Sequence, residues 1–279
     1  MQGKIYSVNS GKYCIRLKSG EKITIPAAGV FRHKGIVPVV GDYVQINEQG
    51  FVASIEERKN EFIRPKVANI DNLIVVMSLK EPNFQPLLVD KYLAIIENKN
   101  IHPYLFITKS DLGEDNWFNY YTKLGYECFK LTNQNTDWIE LIKPIFKNKT
   151  VALMGQSGVG KTTLTNSITG LNLETQEISK FANRGKHTTR IVQILEAFDG
   201  ELIDTPGFSN IELNMDKYAL ANAYYSFREL AKMCKFKSCL HINEPKNYCN
   251  IILNVERGQI PKLRYENYLK LQKELENEK

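Results

Sequence analysis

Apolar and polar positions alternate along the first sixty residues. Tyr13, Ile15 and Leu17 alternate with Cys14, Arg16 and Lys18, Ile23 and Ile25 with Lys22 and Thr24, and Val44 and Ile46 with Tyr43 and Gln45. Phe51-Val52-Ala53-Ser54-Ile55 follows. Gly11, Gly20, Gly41 and Gly50 separate these stretches. A period of two with glycine breaks marks short, half-buried strands. It predicts a small antiparallel barrel of OB type over residues 1–63.

From about Arg64 the pattern becomes strands alternating with helices. Asn72-Leu73-Ile74-Val75-Val76-Met77 is a continuous apolar run, as a strand buried on both faces requires. The periodicity then predicts a helix over 88–98, a strand over 104–107, a helix over 117–124, a strand over 127–131 and a helix over 138–146. Val151-Ala152-Leu153-Met154 is the next strand, and a helix follows over 161–169. Strands are predicted over 191–197 and 201–203. This is a doubly wound α/β pattern, assigned to residues 64–213. Beyond it the strands stop. One helix is predicted over 216–233 and a charged helix over 262–278, in a helical domain spanning 214–279.

Hydrophobic residues are 43% of the chain and charged residues 24%, which places it among ordinary globular proteins. No apolar run is long enough to span a bilayer and the N-terminus lacks the apolar core of a signal peptide, so a cytoplasmic protein without membrane contact is expected. The net charge of +6 permits an acidic partner such as RNA without requiring one. In residues 1–62, nine basic residues face six acidic ones, which is also compatible with a solvated basic face.

The candidate chemistry lies in three short motifs. Gly155-Gln156-Ser157-Gly158-Val159-Gly160-Lys161-Thr162-Thr163 sits between an apolar strand and a helix. That is the context of a phosphate loop, in which backbone N–H groups and a helix N-terminus face the phosphates. Lys161 is placed to reach the β- and γ-phosphates, Thr162 to give its hydroxyl to Mg²⁺, and Thr163 to lie near the α-phosphate. Asp204-Thr205-Pro206-Gly207 ends a predicted strand, so that Asp204 can hold Mg²⁺ through water, and Gly207 can offer its N–H to the γ-phosphate. Thr108-Lys109-Ser110-Asp111 supplies a carboxylate for guanine N1–H and the 2-amino group, a donor pair that adenine lacks. Leu131-Thr132-Asn133-Gln134 is a weaker source of backbone donors to the guanine carbonyl.

The order is unusual, because the base motif precedes the phosphate loop. Rotating the order with every part retained implies a circular permutation, joined at Lys147-Asn148-Lys149-Thr150. Arg184-Gly185-Lys186-His187-Thr188-Thr189 lies where a switch segment belongs, and Thr188 or Thr189 would complete the Mg²⁺ shell. Phe208 occupies the position of the water-orienting glutamine of Ras-like enzymes, so slow intrinsic hydrolysis is expected. His187 is the nearest polar group, either as catalyst or as a contact to phosphate or RNA. Cys234, Cys239, His241 and Cys249 together offer three thiolates and an imidazole, a donor set suited to one structural Zn²⁺.

With these motifs in this order, the chain resembles the bacterial ribosome small-subunit-dependent GTPases, the RsgA family (also YjeQ or YloQ), over its whole length. The resemblance implies an OB-like barrel, a circularly permuted P-loop GTPase domain and a C-terminal helical zinc-binding domain. It implies a factor in late maturation of the 30S subunit that binds 16S rRNA, with GTP hydrolysis stimulated by the subunit and GDP as product. It also matches His187 to the histidine proposed to act in hydrolysis. A monomer is expected. The spacing before Cys249 departs from the family, with Asn247-Tyr248 standing as an insertion. Two other classes compete: a nucleotide-gated RNA-binding module whose hydrolysis is incidental, and an ATP-dependent enzyme sharing only the phosphate loop.

Overall fold

The computed structural model describes residues 1–29, 31, 36–171, 192–204, 208 and 211–277. The chain packs as two compact units. One comprises Met1–Ile74 with Asn135–Ile211, and the other Val75–Gln134 with Glu212–Lys279.

The barrel opens the first unit. Its strands are β1 (Gln2–Asn9), β2 (Lys12–Leu17), β3 (Lys22–Pro26), β4 (Tyr43–Ile46) and β5 (Val52–Ile55). β1 pairs antiparallel with both β2 and β4, β2 with β3, and β4 with β5. A bridge between Ala27 and Val52, with the Ala28 N–H donating to the Val52 carbonyl at 3.0 Å, joins the two ends and closes the barrel. The alternating stretches therefore become barrel strands as predicted. β1 carries no alternation, because Gly3, Lys4, Ile5 and Tyr6 are all buried in succession. Its pairing with β2 shifts register between Ile5 and Ser7, a bulge that re-aims the strand.

After the short hairpin of β6 (Glu61–Phe62) and β7 (Val67–Ala68), β8 (Asn72–Ser78) is buried throughout and carries the chain into the second unit. There α1 (Pro86–Asn98), β9 (His102–Thr108), α2 (Trp117–Lys123) and β10 (Glu127–Lys130) follow, with β10 parallel to β9.

The chain re-enters the first unit with α3 (Trp138–Phe146), β11 (Thr150–Met154), α4 (Lys161–Thr169), β12 (Gln193–Ala197) and β13 (Gly200–Asp204). β11 and β13 are parallel, while β12 returns antiparallel to β13 and pairs with β1 through Ser7 and Gln193. One strand thus serves both the barrel and the α/β sheet. The joint is polar. Lys4 Nζ lies 2.5 Å from Glu201 Oε2 and donates to Thr150 Oγ1 at 2.5 Å, and the Tyr6 hydroxyl donates to Glu201 Oε1 at 2.5 Å. Burial pushes the Glu201 carboxyl up, but Lys4 and these hydrogen bonds outweigh it and hold the group below its ordinary range.

The last segment holds α5 (Lys217–Ala223), α6 (Tyr225–Ala231), α7 (Asn250–Glu256) and α8 (Lys262–Asn277), all in the second unit. The single helix expected over 216–233 is two, broken at Tyr224, whose backbone is extended at φ −62° and ψ 119°. Tertiary packing overrides local propensity here. The Tyr224 ring is fully buried, with the Arg264 guanidinium 4.3 Å from its centroid. Arg264 is itself wholly buried and paired with Asp90 of α1, which also accepts from Asn267 at 2.7 Å. α7 was not foreseen from the sequence. Its first turn is capped by the Cys249 sulfur, which accepts from the Ile252 N–H. Among the described residues, no helix is long and apolar enough to cross a membrane.

Candidate functional site

The phosphate loop leaves the fully buried strand β11 and turns into α4. Gly158 and Gly160 both adopt positive φ, 82° and 95°, a region that a side chain disfavours. Gly160 is the N-cap, so the first turn of α4 presents unsatisfied N–H groups toward the loop. Lys161 folds back over it and donates to the carbonyls of Gly155 at 2.5 Å and Gln156 at 2.6 Å. Burial lowers its ammonium from the ordinary 10.5 to about 8. A nearby phosphate would supply the charge that this half-buried group lacks.

Asp204 reaches the same end of the sheet. Val151 pairs with Leu202 and Ala152 with Ile203 in parallel register, so the C-terminal ends of β11 and β13 lie side by side. Gly155 follows β11, Asp204 is the last residue of β13, and Thr162 stands in the first turn of α4. This arrangement fits one Mg²⁺ held by a hydroxyl and a carboxylate beside bound phosphate. Phe208 is fully buried, with its ring 5.0 Å from that of Phe62, and its carbonyl accepts the Gly155 N–H at 3.2 Å. The residue in the glutamine position therefore anchors the loop from below. Gln156, Ser157, Val159 and Thr163 fall within the same loop and helix start. His187, Thr188, Thr189 and Gly207 lie outside the described residues.

The base motif belongs to the second unit. Thr108 is buried at the end of β9, and its carbonyl accepts the Leu79 N–H at 2.9 Å. Lys109 takes a left-handed conformation at φ 52° and donates to the Glu81 carbonyl. Ser110 donates both its N–H, at 3.2 Å, and its hydroxyl, at 3.1 Å, to the Leu131 carbonyl. Parallel pairing of β9 with β10 brings the segment after β10 alongside, and the Thr132 hydroxyl donates to Asp111 Oδ1 at 3.0 Å. The sequence suggested backbone donors from this segment. The structure adds a side chain that orients the carboxylate, a role that a 21-residue separation conceals from any local pattern.

The four predicted metal ligands do converge. Their ligand atoms all lie within 4.8 Å of one another, with Cys239, His241 and Cys249 buried. His241 Nδ1 is 3.3 Å from Cys249 Sγ and 3.7 Å from Cys234 Sγ, close to the roughly 3.5–3.8 Å edges of a tetrahedral zinc site. The Asn250 N–H donates to Cys234 Sγ at 3.3 Å. Burial pushes the Cys239 and Cys249 thiols up and the His241 imidazole down, so loading a metal would release thiol protons while the imidazole is already neutral. Glu244 holds the turn by accepting from the Leu240 and Ile242 N–H groups at 2.7 and 2.8 Å. Cys249 lies within the cluster, and the Asn247-Tyr248 segment before it is held in a turn. The N–H groups of Tyr248 and Cys249 both donate to the Pro245 carbonyl, and Lys235 caps the Tyr248 ring at 3.8 Å.

A barrel, a phosphate loop entered from mid-chain, a base motif preceding it and a Cys₃His cluster define a circularly permuted GTPase. The RsgA GTPase family model matches residues 55–214, and the RsgA N-terminal domain model matches residues 2–51. The small ribosomal subunit biogenesis GTPase RsgA of Mycoplasmopsis agalactiae is 58% identical over 279 residues, covering 100% of this chain and 99% of its own length. The crystal structure of YloQ, a circularly permuted GTPase, superposes with a TM-score of 0.82 at 33% identity, covering 100% of this chain and 96% of that one. YjeQ from Thermotoga maritima gives a TM-score of 0.81 at 31% identity, with 98% of each chain covered. The chain belongs to the RsgA GTPase family.

Proposed function

We propose that this protein is a GTPase of the cytoplasm that docks as a monomer on the 30S ribosomal subunit and assists its late maturation, with hydrolysis stimulated by the subunit. The parallel alignment of β11 and β13 is the observation that carries the reading, since it sets the phosphate loop beside Asp204. Gly155–Thr163 cradle the phosphates, Lys161 neutralises the β- and γ-oxygens, and Thr162 and Asp204 hold Mg²⁺. Thr108–Asp111 read guanine, with Asp111 as discriminator. Gly207 and Thr188 or Thr189 sense the γ-phosphate, and His187 polarises the attacking water. Cys234, Cys239, His241 and Cys249 hold one structural Zn²⁺. Residues 1–63 act as an RNA-binding barrel, 64–213 as the GTPase domain and 214–279 as the zinc-binding domain, with the outer two contacting 16S rRNA. GTP turnover measured with and without purified 30S particles tests this. Slow turnover alone and acceleration by the particles are expected, and equal rates discard the reading.

A second reading is favoured by Phe208, whose buried ring cannot orient water. In it, nucleotide-gated affinity is the function and hydrolysis is incidental. Subunit affinity measured with GDP and with a non-hydrolysable GTP analogue decides, and equal affinities remove the gate.

A further inference from the structure

A cleft of about 570 Å³ opens in the second unit between the end of α1, the α5–α6 pair and the metal loop. Its chemistry is one-sided. Among the described residues, no carboxylate lines it, while Arg228, Lys232 and Lys237 do. A metal ion held by three thiolates and a neutral imidazole adds a net charge of about −1, which leaves the wall cationic. Lys232 has an exposed partner in Glu229 at 2.6 Å, and such a pair competes weakly with a ligand.

Three amides and one aromatic ring complete the wall. Asn98 ends α1, Asn100 follows at a positive φ of 54°, and both are exposed. Asn222 donates its amide nitrogen to the Tyr218 carbonyl at 2.8 Å and also lines the cleft. Phe236 is 46% exposed, although its ring is braced by Tyr248 at 5.8 Å. Arg228 is fixed, donating to the Glu97 carbonyl at 2.5 Å and the Asn222 carbonyl at 3.1 Å, so that its charge belongs to the rim.

We infer that this cleft takes one nucleotide of a single-stranded RNA, with the base against Phe236, the amides of Asn98, Asn100 and Asn222 on its edges, and Lys232 and Lys237 on the flanking phosphates. The inference rests on the RNA-binding reading given above and locates a contact within it. Single-stranded RNA is read by stacking an unstacked base on an aromatic side chain and bonding its polar edges. An acidic peptide would match the lysines but leave the ring and three amides without a role.

The test uses the full metal-loaded chain and a fluorescein-labelled 12-nucleotide single-stranded RNA of mixed sequence, titrated by anisotropy at several salt concentrations. Phe236→Ala is expected to weaken binding about tenfold with the salt slope unchanged. Lys237→Gln is expected to reduce the slope of log K against log salt by about 0.7. Both positions are exposed, and retained metal content shows that the loop is intact. Parent affinity and slope in both variants overturn the inference, as does a parent that binds 30S particles but not the oligonucleotide. Variants that lose particle binding yet keep the oligonucleotide point to an acidic protein partner and also overturn it. Full competition by millimolar AMP assigns the cleft to free nucleotides instead. Loss of particle-stimulated turnover in the parent itself is a different result, and removes the reading beneath.

Discussion

Individual residues in the site are held by bonds that adjust them for charge. Thr132 is one case, because its hydroxyl fixes one oxygen of Asp111 from a separate loop. Thr132→Val removes that bond and frees the carboxylate to rotate. GTP affinity should fall about three- to tenfold, the worth of one hydrogen bond, and Thr132→Ser should restore it. Unchanged affinity in the valine variant, measured by titration calorimetry, would leave Asp111 self-sufficient. Lys161 is the second case. Its folded-state value of about 8 lies below the ordinary 10.5, so the folded chain binds that proton less tightly than the unfolded one. The free protein therefore gains stability as pH rises from about 8 toward 10.5. Nucleotide affinity runs the other way, because the phosphates require the ammonium and must recruit a proton once pH exceeds about 8. GTP affinity should decline several-fold between pH 7 and 9 in the parent and stay weak and flat in Lys161→Met. A parallel decline in both would exclude Lys161 as its source.

At the scale of elements, the permutation joint is a tight turn rather than a loose linker. Asn148 adopts φ 56° and its N–H donates to the Asp199 carbonyl at 2.9 Å, while the Glu201 N–H donates to Lys149 at 2.9 Å. The Thr150 N–H is bound by Asp71 at 2.9 Å. Gly200 completes the joint, since a Cβ there would lie 1.8 Å from the Phe146 carbonyl oxygen. Backbone on both sides leaves nowhere for a methyl to go. Gly200→Ala should destabilise the chain by about 1–3 kcal/mol through this overpacking. Denaturant midpoints for the two proteins test it, and equal midpoints would show that the turn can yield.

For the whole molecule, the second unit combines the segment that carries the base motif with the C-terminal helices. Asp90 and Arg264 lie at its centre, both with no exposed side-chain surface. Removing one partner of such a pair costs about 3–5 kcal/mol, because the other charge stays buried. This pair anchors α8 to α1 without using the metal, beside the bonds that the Tyr265 and Tyr268 hydroxyls give the His241 and Leu240 carbonyls of the metal loop. Chelation should therefore unfold the segment around Cys234–Cys249 while α8 keeps its protection. Hydrogen exchange followed by mass spectrometry reads both, and equally fast exchange in α8 would mean that the metal holds the whole C-terminal region.

Much of this protein was legible along the chain. The barrel strands β2 to β5, the helices around the phosphate loop, the permuted motif order and the four clustered metal ligands are all set by consecutive residues or short spacings. Local periodicity and turn chemistry act over such distances, so the sequence alone determines them. Other features required the folded chain. β1 was hidden because it is buried on both faces, and its Lys4 meets Glu201 across 197 positions. The break at Tyr224 follows from a buried cation that arrives 40 residues later, and Thr132 finds Asp111 only because two strands run parallel. Charges and rings choose partners by proximity in space, and proximity is settled by packing.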